Sequence, residues 1–184
     1  MEQETLLVER LKQGDKEAFE SLVEAYRSRV YATLYNLLGR FQEAEEALWD
    51  VFAEIWKSIG RFKGDSKLST WIYSITTHVA YHRRRKFREH LISLDEMGVD
   101  VPSSSNNPED ETFRREESRL VQKGIKKLPE SLRVPLVLQA ISGLDYEAIS
   151  EILHLPVGAL KTRVWRAKLE LKKSLEPWMK SERI

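Results

Sequence analysis

Residues 145–173, DYEAISEILHLPVGALKTRVWRAKLELKK, hold two amphipathic stretches separated by a tight break. Asp145 is placed to cap a short helix over Tyr146 to Leu153, with Ile149 and Ile152 facing inward. His154-Leu155-Pro156 makes the connection, and a longer helix starts near Val157 with Leu160, Val164, Ala167 and Leu171 along one side. A short helix, a tight turn and a longer basic helix form the layout of a helix-turn-helix. At about 100° per residue, the buried side leaves Thr162, Trp165, Arg166, Leu169 and Lys173 pointing outward, flanked by Lys161 and Lys168. An Arg fork there can address guanine edges in a major groove, and Lys contributes charge toward phosphates.

Upstream, Phe113, Leu120, Val121, Ile125 and Leu128 repeat with helical spacing. Pro129 stops that helix and can begin the next, which carries Leu132, Leu136, Val137 and Ile141. Pro135 falls inside this helix, where it costs an internal hydrogen bond. Between about Ile92 and Thr112 the periodicity vanishes. Val101-Pro102-Ser103-Ser104-Ser105-Asn106-Asn107-Pro108 is turn-rich, and Glu109-Asp110-Glu111 follows. Such a composition buries too little apolar area to offset its ordering entropy, so residues 92–112 read as a flexible linker.

The N-terminal half is helical as well. After Gln13-Gly14, Asp15 can cap a helix whose stripe is Phe19, Leu22, Val23, Tyr26, Val30, Leu34, Leu37 and Leu38, ended by Gly39 in a left-handed cap. A second helix carries Ala44, Ala47, Leu48, Val51, Phe52, Ile55, Trp56 and Ile59, and Gly60 closes it. A loop, Phe62 to Ser66, leads to a third helix with Trp71, Ile72, Ile75 and Val79, which runs into Arg83-Arg84-Arg85-Lys86 and Arg88. The expected fold is all-α: a helical bundle over 1–91, a linker over 92–112 and a helix-turn-helix domain over 113–184.

The bulk numbers agree. The 184 residues are 41% hydrophobic and 32% charged, enough for packed cores under charged surfaces. A net charge of +1 argues against a simple polyanion binder, but the charges are segregated. Between Phe41 and Trp56 every charged residue is acidic: Glu43, Glu45, Glu46, Asp50 and Glu54. The stretch 83–88 is basic, and 161–173 holds six basic residues against Glu170. Two basic nodes and one acidic face imply two kinds of partner. With no cysteine, disulfides and thiolate metal sites are excluded. The acidic start Met1-Glu2-Gln3-Glu4 is unlike a signal peptide, and no stretch approaches the roughly 20 apolar residues of a membrane span, so a cytoplasmic location is expected.

Residues 155–167, Leu155-Pro156-Val157-Gly158-Ala159-Leu160-Lys161-Thr162-Arg163-Val164-Trp165-Arg166-Ala167, resemble the region 4 signature of extracytoplasmic-function (ECF) sigma factors, a branch of the sigma-70 family of bacterial RNA polymerase subunits. Leu128-Pro129-Glu130 and Gly143-Leu144-Asp145-Tyr146-Glu147-Ala148-Ile149 fit the same family. Ala44-Glu45-Glu46-Ala47-Leu48-Trp49-Asp50-Val51-Phe52 resembles region 2.2. Phe62-Lys63-Gly64-Asp65-Ser66 and Leu68-Ser69-Thr70-Trp71-Ile72-Tyr73-Ser74-Ile75 resemble the following loop and region 2.3.

The resemblance implies a transcription initiation factor with no catalysis and no cofactor of its own. It implies three partners: core RNA polymerase, promoter DNA and an anti-sigma protein that restrains it until a stress response. Polymerase contact would fall on Glu45, Glu46, Trp49, Asp50, Phe52 and Glu54. Minus-ten DNA would be held by Phe62, Lys63, Asp65, Ser66, Tyr73, His78, Arg83, Arg84 and Arg85, around a base flipped from the non-template strand. The minus-thirty-five element would be read by Lys161, Thr162, Trp165, Arg166, Lys168 and Lys173. His78 stands where the family usually has Asn, and His154 where a Gly is common in the turn.

Among the aromatic residues, Trp71 falls on the buried stripe, and Tyr73, roughly opposite, is the better candidate for stacking on bases. Two other readings stay open on the sequence: a helix-turn-helix regulator that never joins the polymerase, and a metal enzyme using His78 and His82, four residues apart.

Overall fold

The computed structural model describes the backbone of residues 2–96 and 114–181, and side chains over 3–86 and 119–178. Eight α-helices and one 3-10 turn make up the described residues, with no strand among them. In chain order they are α1 (Glu2–Lys12), α2 (Lys16–Leu38), α3 (Phe41–Ser58), the 3-10 turn (Ile59–Arg61), α4 (Leu68–Glu96), α5 (Arg114–Lys127), α6 (Glu130–Ala140), α7 (Tyr146–Leu153) and α8 (Val157–Ser181). Helix α4 continues past residue 91, so the first residues assigned to the linker are helical; the rest of that linker, 97–112, lies outside the described residues.

Helix α1 is absent from the sequence expectation. Its Val8 and Leu11 are buried and Leu7 is half-buried, a stripe too short to stand out beside the acids around it. Gly14, at φ +76, turns the chain, and Asp15 starts α2. The Asp15 carboxylate accepts the backbone N–H of Glu17 at 2.9 Å and of Ala18 at 3.2 Å, and Arg10 Nε donates to it at 2.7 Å. One side chain thus fixes the α1–α2 corner and satisfies two donors that lack helical partners.

Helix α2 buries Leu22, Val30, Leu34 and Leu37 and ends on Gly39, whose φ of +82 gives the left-handed cap and whose N–H donates to the Tyr35 carbonyl at 2.8 Å. Helices α3 and α4 pack on it with Ala44, Ala47, Leu48, Val51, Ile55, Leu68 and Ile72. α3 stops at Ser58 and passes into the 3-10 turn, so Gly60 lies inside that turn instead of closing α3 by a left-handed cap.

In the second module Pro135 sits inside α6 and is buried. The carbonyl it leaves without a helical donor is that of Ser131, four residues back in the exposed first turn, where water can satisfy it. Arg133, also buried, donates from Nη1 to the Lys126 carbonyl at 3.1 Å and so caps the negative end of α5.

The two modules are packed together, which their sequences do not announce. Ile125 and Val137 are buried in the same apolar cluster as the α2 stripe, with Val134, Ile141, Leu144 and Ile152 against it. At its centre the buried hydroxyls of Thr33 and Ser142 lie 2.9 Å apart. Thr33 directs its single proton to the Arg29 carbonyl at 2.8 Å, which makes Ser142 the donor of the pair. Around the margin, Lys67 pairs with Asp145 at 3.4 Å, and Arg84, tied within the first module to the Leu37 carbonyl at 3.2 Å, pairs across with Glu130 at 3.6 Å.

The bond from Arg10, then the backbone bonds, hold the Asp15 carboxyl below its ordinary value of 3.8. Its contribution is therefore fully present above pH 3.8 and is lost as pH falls through the lower folded-state value. Asp15→Ala should lower the urea midpoint by a constant amount from pH 5 to 7, with the gap to wild type closing only below the ordinary carboxyl range; a gap that closes already by pH 5 would contradict the capping geometry.

Candidate nucleic-acid interface

Helix α8 presents the basic face expected of it. Leu160, Val164 and Ala167 are buried, while Lys161, Thr162, Trp165, Arg166, Lys168, Leu169 and Lys173 are exposed, Trp165 to 63%. Lys161 Nζ stands 5.8 Å from the centre of the Tyr146 ring, which orients its charge from the neighbouring helix.

The presentation of α8 depends on α7 and the turn. Asp145 caps α7 by accepting the Ala148 N–H at 2.8 Å, and that bond, then Lys67, depresses its carboxyl below the ordinary range. Two features of the turn matter. His154 takes φ +53 and ψ +43, the left-handed conformation that suits Gly best, and the Ser150 hydroxyl donates to the Leu155 carbonyl at 2.6 Å. The second was not foreseen, because a Ser within a helix pattern gives no sign of which distant carbonyl it will reach.

The acidic face is also real. Glu45, Glu46, Trp49, Asp50 and Glu54 are exposed on α3, Trp49 to 60%, with the Arg27 guanidinium 5.8 Å from its ring centre. Phe52 is a correction: at 3% exposure it is core, meeting Phe19 edge-on at 6.4 Å. It falls between Ala47, Leu48, Val51 and Ile55, on the side of α3 that faces α2.

Within the minus-ten set, Lys63 and Asp65 are exposed, Ser66 is half-buried and Gly64 turns at φ +82. Phe62 is buried and packs at 5.1 Å on Trp71, which is half-buried. Phe62 therefore supports the loop from beneath and is not a contact surface. Tyr73 is corrected outright: it is 1% exposed, and burial pushes its hydroxyl up to about 12. α4 packs against α2, α3 and α7, and Tyr73 lies in the same apolar cluster as the α2 stripe. Among the described aromatic residues near this site, Tyr81 is exposed.

The cationic cluster is partly committed within the molecule. Arg83 binds Glu46 at 3.0 Å and chelates Asp50, joining residues assigned to two different partners. Arg84 reaches Leu37 and Glu130, while Arg85 and Lys86 are exposed. His78 is exposed and lines a groove between the modules, whose opposite wall includes His154 and Arg163.

Two family models match the chain: Sigma-70 region 2 over residues 22–89 and Sigma-70, region 4 over residues 118–171. The RNA polymerase sigma-H factor of Pseudomonas aeruginosa is 31% identical, covering 97% of both chains. The ECF sigma factor SigW of Bacillus subtilis is 32% identical over 91% of this chain and 94% of its own. The ECF sigma-E factor of Haemophilus influenzae is 33% identical over 94% and 95%. This chain belongs to the sigma-70 family of RNA polymerase sigma factors, in its ECF branch. Among solved structures, CnrH in complex with the cytosolic domain of CnrY shares the fold, with a TM-score of 0.72 and 20% identity over 95% of this chain and 97% of that one. So does RpoE of Bartonella quintana in complex with the anti-sigma factor NepR, also at 0.72, with 23% identity over 86% and 96%.

A non-glycine residue in the left-handed region carries strain of about 1 kcal/mol. His154→Gly should therefore raise unfolding stability by roughly that amount. Urea denaturation measures it; a loss of stability would mean that the His154 side chain holds the turn through a contact stronger than the strain.

Proposed function

We propose that this chain is an initiation subunit that binds core RNA polymerase and directs it to promoters, with no catalysis of its own. Helix α8 enters the minus-thirty-five major groove, with Arg166 addressing base edges and Lys161, Lys168 and Lys173 meeting phosphates. The loop after the 3-10 turn and the basic part of α4 hold the melted minus-ten strand. The exposed face of α3, with Trp49 amid Glu45, Glu46, Asp50 and Glu54, docks on the polymerase; aromatic residues within such a face are the usual anchors of an interface. The observation that carries this reading is the α8 face: every side chain assigned to the upstream element is exposed on it, above a buried Leu160, Val164 and Ala167.

The packed arrangement sets a condition on this activity. Minus-ten and minus-thirty-five elements lie about 25 base pairs apart, roughly 85 Å of duplex at about 3.4 Å per step. Here Lys67, at the edge of the minus-ten loop, pairs with Asp145, the cap of α7, and α8 follows that eight-residue helix after the His154–Pro156 turn. A helix of that length spans only about 12 Å. The two modules must part to occupy both elements, so the packed form is the resting state. The proteins CnrH and RpoE in the two similar structures are each bound to another chain, the latter an anti-sigma factor, and an anti-sigma partner that holds this chain packed in the cytoplasm until a stress signal fits the same geometry.

Transcription in vitro with core polymerase tests the reading. Wild type should impose start-site selection that core enzyme lacks, and Arg166→Ala should cost about five- to a hundredfold at promoters that depend on the upstream element, the value of a good bidentate base contact. Equal activity of wild type and variant with and without that element would refute the role of Arg166, and failure to select start sites at all would refute the function.

A further inference from the structure

Helix α1 lies ahead of the residues matched by the region 2 family model, yet it is bound to both ends of the minus-ten loop. At the near end, Val8 and Leu11 share one apolar cluster with Ile59 of the 3-10 turn and with Phe62, and α1 packs directly on that turn. At the far end, the Glu4 carboxylate accepts the backbone N–H of Leu68 at 2.8 Å, across 64 residues of sequence. Leu68 is the first residue of α4, so this N–H is one of the donors a helix cannot satisfy by itself. A carboxylate is the favoured acceptor at that positive end. Caps of this kind usually come from the residue just before the helix; that residue is Lys67, which has no acceptor in its side chain and pairs instead with Asp145.

Between the two anchors run Lys63, Gly64, Asp65 and Ser66, exposed or half-exposed. No added side-chain carbon at Gly64 would meet a neighbour within 4 Å, so nothing packs over the middle of the loop. Its shape is set from its ends. Leu68 itself is 1% exposed, so the bond from Glu4 fixes a backbone point whose side chain is already locked in the core.

We propose that Glu4 is a positioning residue for base selection: by holding the first N–H of α4 it sets the pocket that the loop offers to the minus-ten strand. The inference rests on the reading of residues 62–69 as the base-holding loop. It assigns Glu4 no contact with DNA, and its own charge, of the same sign as phosphate, argues against one.

Open-complex formation by full-length protein with core polymerase tests this, on promoters that differ only in the minus-ten bases and share one minus-thirty-five element. Glu4→Ala should flatten the preference among minus-ten bases by about three- to tenfold, as expected for one hydrogen bond lost. It should leave dependence on the upstream element intact. Glu4→Gln, whose amide oxygen can still accept the Leu68 N–H, should restore most of the preference. A Glu4→Ala defect equal at every base, tracking a lower melting temperature, would assign Glu4 a purely structural role and overturn the proposal. Asp65→Ala and Ser66→Ala separate the two ways of failing. If they shift base preference while Glu4→Ala does not, the positioning role falls alone; if none of the three shifts it, the loop reading falls as well and takes the proposal with it.

Discussion

Everything in this molecule is hung on helix α2. One side of it, through Leu22, Val30, Leu34 and Leu37, is the wall on which α3 and α4 pack, and each fully buried aliphatic side chain contributes about 1.5–3 kcal/mol. An adjacent strip, centred on Thr33, is the seat of α6 from the second module. The same helix therefore defines the first module and receives the second. The two attachments differ in kind. Within the first module a continuous apolar core carries the packing, and polar ties such as Arg10 to Asp15 and Glu4 to Leu68 lie at its edges. Between modules, a patch around Ile125 and Val137 is supplemented by one hydroxyl pair and two ion pairs, Arg84 with Glu130 and Lys67 with Asp145. Polar contacts of this sort contribute about 1 kcal/mol or less each, and interfaces between domains of one chain are commonly built to come apart.

That difference organises the charged residues. In the packed form Lys67 holds Asp145, Arg84 holds Glu130, and Arg83 holds Glu46 and Asp50. Of the side chains assigned to a promoter or a polymerase, Arg83, Arg84, Glu46 and Asp50 are thus partnered inside the molecule. The pair of Lys67 and Asp145 is exposed on both sides, so exchanging it for phosphate costs little, and the exchange weakens with salt.

The fold was legible where a residue acts on its own sequence neighbourhood. Asp15, Gly39 and Asp145 announce helix ends because their capping works over two to four residues, and all three do so. The α8 face was legible for the same reason, since helical spacing alone separates Leu160, Val164 and Ala167 from Arg166 and its neighbours. Legibility ended where burial depends on a second or third neighbour. Tyr73 looks available on a helical wheel, but α4 packs against α2, α3 and α7; Phe52 already falls on the apolar stripe of α3, and only the family resemblance put it on the polymerase face. Thr33, Ser142, Arg133 and Glu4 carry no local signal, because their partners lie in other helices, at 109 residues' distance for Thr33 and Ser142 and 64 for Glu4 and Leu68. The packing of the modules on each other belongs to the same class: the stripe of α2 is one face to a sequence pattern and two faces to the folded chain.

The separation of the modules can be followed directly, because the chain has no cysteine to compete with introduced labels. Dyes at Glu20→Cys on α2 and Glu151→Cys on α7, both exposed positions, report the distance between modules by energy transfer. Modules that rest packed and part on DNA give high transfer in the free protein and a loss of nearly all of it when core polymerase and a promoter carrying both elements are added. Transfer that stays high in an initiation-competent complex would contradict the requirement that the two modules separate.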